Sequence, residues 1–153
     1  MEQYRAKIEE HADVLEKMGF SPVGARIYIY LLYAPDHQST FDDLVNYFKV
    51  SKSAISNGLK YLETIKLIIS KTMHGQRKRY FKMDLEANTG ADFAIARLNQ
   101  MRNMLEDILQ SRKEDKDRQE LQDLITFYKM MAIEYPILLE RWRRTIAFEK
   151  KDD

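Results

Sequence analysis

The side chains best suited to chemistry in this chain lie close together, between Val50 and Glu63: Ser51, Lys52, Ser53, Ser56, Asn57 and Lys60. The chemistry open to them is recognition rather than bond making. Hydroxyls and an amide can hydrogen-bond base edges in a major groove, and ammonium groups can meet phosphates. Between them recur Ile55, Leu59 and Leu62, at helical spacing. The stretch therefore predicts an amphipathic helix, apolar inward and polar outward. Ser51 is the expected N-cap, so the helix should start at Lys52 and offer its free N–H groups and positive dipole end to an anion. A merely solvated helix would show the same face, so the surrounding chain has to decide between the two.

Charge is the first discriminator. From Lys49 to Lys82 the chain carries Lys49, Lys52, Lys60, Lys66, Lys71, Arg77, Lys78, Arg79 and Lys82 against one acid, Glu63, or +9 − 1 = +8. The whole chain is only +1, so the rest sums to −7. Concentrated positive charge of this kind is the electrostatic footprint of a nucleic-acid-binding surface.

The elements that must position this segment can be read along the chain. A first helix is expected over residues 2–18, with Ile8, Ala12, Leu15 and Met18 on one face and Gly19 as its stop. Ser21-Pro22 restarts the chain as N-cap and first helical residue, and an almost wholly apolar helix follows to about Tyr33. Residues 34–39 read as a loop. Thr40 caps a short helix from Phe41 to Phe48, with Leu44, Val45 and Phe48 inward, and Lys49-Val50 makes a tight turn. Two short helices joined this way, the second polar and basic outside, form the helix-turn-helix pattern.

After Lys66 the apolar period changes from 3.6 to 2. Residues 67–73 and 77–83 flank His74-Gly75-Gln76, which predicts a β-hairpin. Alternation puts Arg77 and Arg79 on one face of it and Lys78 with Tyr80 on the other. Arg77 and Arg79 are the expected phosphate contacts; the competing reading is a charged edge strand that discourages aggregation. Gly58, inside the polar helix, predicts close approach of another helix.

Residues 84–90 read as a joint. Beyond it, Ala94, Leu98, Met101, Leu105 and Ile108 predict a long helix over about 91–112 with a narrow packing seam. Residues 111–120 are wholly polar, either a connection or a solvated stretch of helix. Leu121, Leu124, Tyr128 and Met131 form another stripe. Tyr135-Pro136 should break or kink the helix, and Ile137 to Thr145 belong to a last one.

Several function classes fall away. With no cysteine there is no disulfide framework, thiolate metal site or thiol redox chemistry. His11, His37 and His74 lack metal-ligand spacing, and no catalytic triad, phosphate loop or carboxylate pair stands out, so no metal, no cofactor and no enzymatic activity are expected. No apolar run is long enough to span a membrane, and no signal peptide is evident; a cytoplasmic location is expected. Met101, Met104, Met130 and Met131 read as gap fillers. Tyr128, Tyr135 and Trp142 read as aromatic core, with an effector pocket as the alternative.

Residues 19–83 resemble the winged-helix domain of the multiple-antibiotic-resistance-repressor (MarR) superfamily. The resemblance rests on Gly19-Phe20-Ser21-Pro22, Ala25-Arg26-Ile27-Tyr28, Val50 to Ser56, Leu59 with Leu62-Glu63, and Gly75 to Phe81. Gly75-Gln76-Arg77 stands where many members carry Asp-x-Arg, which points to the glycine-betaine-synthesis-repressor-like (GbsR) branch. The family usually ends its recognition helix with Gly; here Thr64-Ile65-Lys66-Leu67 predicts a strained Lys66 or a different ending.

The resemblance implies a mainly α fold: a winged helix-turn-helix over 19–84, an N-terminal helix (1–18) used in dimerisation or packing, and a helical dimerisation region over 85–153. It implies a homodimeric transcriptional regulator that binds double-stranded DNA at pseudo-palindromic operators. A small-molecule effector is a subsidiary expectation, motivated by the joint and the aromatic residues beyond it. The alternative is a winged helix used as a protein-interaction module in a larger assembly, since fold does not fix function.

Overall fold

A computed structural model describes residues 1–72, 78–84, 91–113 and 116–149, with backbone alone at 91–93 and 148–149. The chain divides into two compact units, Met1–Asn88 and Thr89–Asp153.

The first unit packs four helices against a small sheet. The helices are α1 (Arg5–Lys17), α2 (Pro22–Tyr33), α3 (Phe41–Phe48) and α4 (Lys52–Thr64). The strands are β1 (Gln38–Thr40), β2 (Ile68–Thr72) and β3 (Arg79–Met83). Local sequence sets the boundaries. Ser21, Thr40 and Ser51 each accept a backbone N–H three residues on, capping α2, α3 and α4. α1 stops at Gly19, whose φ of 94° lets the Gly19 N–H reach Glu16 O and the Phe20 N–H reach Leu15 O.

α2 is the most deeply set helix, burying Ala25, Ile27, Ile29, Tyr30 and Leu31. Ile8, Leu44, Ile55, Leu62 and Ile68 close the core around it. At its exposed edge Arg26 binds Glu9 at 2.8 Å and Glu16 at 2.7 Å, fastening α1 to α2. α4 crosses α2 at Gly58. A Cβ there would lie 3.0 Å from Ile27 Cδ1, 3.1 Å from Val23 Cγ1 and 3.3 Å from Gly24 N. The expected close helix approach is therefore present.

Two expectations need correction in this unit. Residues 38–40 form a strand, not a loop. β1 pairs antiparallel with β3 (Gln38↔Lys82, Ser39↔Phe81, Thr40↔Tyr80), and the sheet runs β1-β3-β2. Gln-Ser-Thr has no apolar alternation of its own; its backbone is held by β3, a partner about forty residues away in sequence. Met18 lies outside the packed face, 71% exposed, because the α1 helix ends at Lys17 and the chain turns at Gly19.

The second unit contains α5 (Ala91–Ser111) and α6 (Arg118–Glu149), packed on one another. Its buried residues are Leu105, Leu109 and Ile125, with Leu121 and Tyr128 against them. The seam thus uses Leu109 and Ile125, whereas Ile108 and Leu124 are each 40% exposed. Within the polar stretch, residues 112–113 and 116–117 are non-helical and α6 begins at Arg118. Pro136 does not end the helix: α6 runs through it, and residues 137–145 continue the same element. Proline removes one N–H donor, and the helix continues on either side of that loss.

Candidate nucleic-acid interface

α4 presents the predicted face. Lys52, Ser53, Ser56, Asn57 and Lys60 are all exposed, while Ile55, Gly58, Leu59 and Leu62 are buried against the core. The division follows from helical geometry: the apolar set is spaced to face α2 and the sheet, so the intervening residues must face out. Ser51 is exposed too, but its Oγ accepts the Ala54 N–H at 3.2 Å. Its hydroxyl oxygen therefore caps the start of α4, while the O–H remains available as a donor.

Arg79 sits differently from a freely projecting wing residue. Its Nη2 donates to Glu63 Oε1 at 2.9 Å and to Ser70 Oγ at 2.6 Å, and its guanidinium lies 5.0 Å over the Phe81 ring. Sheet register explains this. Arg79 pairs with Thr72, and alternation places it on the same side of the sheet as buried Phe81 and Met83. That side faces the helices, so the arginine meets the last turn of α4. Glu63, the one acid in the basic segment, is thereby held against a cation. Arg77 and His74 lie outside the described residues.

The opposite side of the sheet carries Lys71, Tyr80 and Lys82, since Lys71 pairs with Tyr80 and Ile69 with Lys82. Lys71 is exposed and Lys82 half-buried, and Lys78 just before β3 is exposed as well. Sequence reading set Lys71 and Lys82 aside. The pairing register that puts them on one outward face was invisible without knowing which hairpin residues oppose one another.

In the second unit, Tyr128 and Tyr135 border a groove of about 360 Å³ whose other walls are Ala94, Arg97, Leu98, Met101 and Met131. Trp142 is not among its walls and is 41% exposed. Among the described residues no acid–histidine cluster could hold a metal ion, and no described helix is long and apolar enough to cross a membrane.

No family model matches the sequence, and no curated protein matches it. Solved structures do. A crystal structure of a transcriptional regulator is similar over 90% of this chain and 95% of that one, at 16% identity and a TM-score of 0.80. A MarR family transcriptional regulator from Streptomyces coelicolor, solved in complex with DNA, aligns over 82% of this chain and 78% of its own, at 16% identity and a TM-score of 0.45. The adhesin competence repressor from Streptococcus pyogenes aligns over 80% and 89%, at 19% identity and a TM-score of 0.41. The first likeness agrees with the elements described above: a helix-turn-helix followed by an antiparallel hairpin, with long helices beyond, is a winged-helix fold.

Proposed function

We propose that the protein is a MarR-like transcriptional regulator that binds double-stranded DNA as a homodimer, each copy laying α4 in a major groove of a pseudo-palindromic site. The observation that carries this reading is the outer face of α4: five exposed polar or cationic residues, set in a segment of net charge +8. The structurally similar protein with nearly full coverage is itself a transcriptional regulator, which accords with it. Ser53, Ser56 and Asn57 read base edges. Lys52, Lys60 and Arg77 anchor to phosphates, and Arg79 joins them when it leaves Glu63. The glycine-betaine-synthesis-repressor branch is the preferred subgroup, on Gly75-Gln76-Arg77.

Homodimerisation is supported by what α6 leaves uncovered. Leu124, Phe127, Met130, Ile133, Ile137, Leu138 and Trp142 are all exposed on it, while the unit's own buried set is small. So much apolar surface on a two-helix unit is expected to be covered by a second copy. Two reading heads would then lie about one DNA turn apart, roughly 34 Å. Such a regulator would work in the cytoplasm, and a small molecule that binds one head spacing better than another would bias DNA affinity. Equal operator affinity across a metabolite panel would count against that last element.

A gel shift with random duplex DNA at low salt tests the core of the reading. Retardation at micromolar protein or below is expected. No shift would favour the interaction-module alternative. Sedimentation at micromolar concentration tests the dimer, with a single monomer species as the contrary result.

A further inference from the structure

Three helices of the first unit close on a residue in the left-handed conformation. At the end of α1 it is Gly19. At the end of α4 it is Lys66, with φ of 61°, and the closing bonds have the same pattern: Lys66 N–H to Glu63 O at 3.1 Å and Leu67 N–H to Leu62 O at 3.0 Å. At the end of α3 it is Lys49, with φ of 53° and its N–H on Val45 O at 3.0 Å. Glycine is the residue that fits these positions without strain. Among the described residues the other non-glycine positions with positive φ are Asp36, His37 and Asp117, types that tolerate the conformation better than most. Lysine has no such excuse.

The two lysines bracket one element. Lys49 precedes the first residue of α4 by three positions and Lys66 follows its last by two. Both are exposed, and neither forms an ion pair among the described residues. Glu2, whose carboxyl is held below the usual range first by its bond to Arg5 and in small part by the Lys49 charge, is paired with Arg5. α4 has 13 residues and so spans about 20 Å. A major groove is about 12 Å wide. A helix of that length set across the groove, rather than along it, brings both its ends beside the phosphate walls.

We infer that Lys49 and Lys66 are phosphate-contacting residues, held in place of glycine because a cation is needed at each end of the reading helix. The inference rests on the proposed DNA-binding function and adds two contacts to it. The strain is the cost of placing charge where the chain must also turn sharply.

Three substitutions at each position separate charge from backbone. Lys49→Gly and Lys66→Gly remove both the charge and the strain. Lys49→Asn and Lys66→Asn remove the charge with a residue that tolerates the conformation. Lys49→Arg and Lys66→Arg keep the charge. Each variant is measured for its denaturant midpoint and for duplex affinity across a salt series. The glycine variants are expected to unfold at or above the wild-type midpoint. The glycine and asparagine variants should bind about fivefold more weakly per lost contact at about 0.15 M salt, with a log–log slope shallower by about 0.9 for each. The arginine variants should bind as wild type. Wild-type affinity and slope in the glycine and asparagine variants would overturn the inference and leave the proposed function standing. So would weaker binding accompanied by a lowered midpoint in both. A wild-type protein without salt-dependent duplex binding would overturn inference and function together.

Discussion

Arg79 on β3 and Glu63 in the last turn of α4 are joined by a 2.9 Å ion pair, which ties the wing to the reading helix. The pair is largely solvent-facing on the arginine side, so it contributes little to stability, on the order of 0–1 kcal/mol. Its effect is on charge placement. Glu63 neutralises one cation of the basic segment and holds it off the outward surface.

Replacing Glu63 with Gln tests this. The variant releases Arg79 and removes the segment's acid while keeping the side-chain shape. Duplex binding at low salt should strengthen, and the log–log salt slope should steepen by about 0.9 per subunit if the freed arginine finds a phosphate. Weaker binding in a variant that remains fully folded would assign the pair to positioning the wing against α4 instead.

Readers and anchors on α4 should separate in a binding experiment with matched and mismatched duplexes. Ser53→Ala, Ser56→Ala and Asn57→Ala should cut discrimination at individual base pairs by about 1–3 kcal/mol where a base contact is lost. Lys52→Ala and Lys60→Ala should weaken binding to every sequence alike and flatten the salt dependence. Equal behaviour of the two sets would contradict the division.

Gly58→Ala sets helix propensity against packing. Alanine gains about 1 kcal/mol within a helix. The added methyl, however, would sit 3.0 Å from Ile27 Cδ1 and 3.3 Å from the Gly24 backbone. Overpacking of a core typically costs about 1–3 kcal/mol, so a net loss of about 1 kcal/mol is expected, read as a lower denaturant midpoint with unchanged slope. A stabilised Gly58→Ala would show that the α2–α4 crossing has slack.

Much of this fold is legible in the chain itself because its signals are local. Ser21, Thr40 and Ser51 each mark a helix start by hydrogen bonds spanning three residues, and Gly58 announces a crossing because only a close neighbour justifies it. Lys66 stood out as a poor helix stop and is indeed strained. What the sequence hid depends on partners far away. β1 exists only through β3. Leu109 and Ile125 displaced Ile108 and Leu124 because a narrow seam can be drawn one residue off when the facing helix is unknown. The break expected at Pro136 is absent because one lost N–H donor is not enough to end a 32-residue helix. At the site, α4's face was readable from periodicity, whereas the Arg79–Glu63 pair needed the hairpin register and its placement beside α4.

The central claim is that the basic segment meets a duplex through many phosphates at once. The most direct test is equilibrium binding of the full chain to duplex DNA between 50 and 200 mM salt. With six to eight phosphate contacts per dimer from Lys52, Lys60 and Arg77, without or with Arg79, the log of the affinity should fall with a slope of about −5 to −7, a loss of about a thousandfold to ten-thousandfold over that range, and contacts from Lys49 and Lys66 would steepen it further by about 0.9 each. An affinity that hardly changes with salt, or no duplex binding at micromolar protein, would contradict the account.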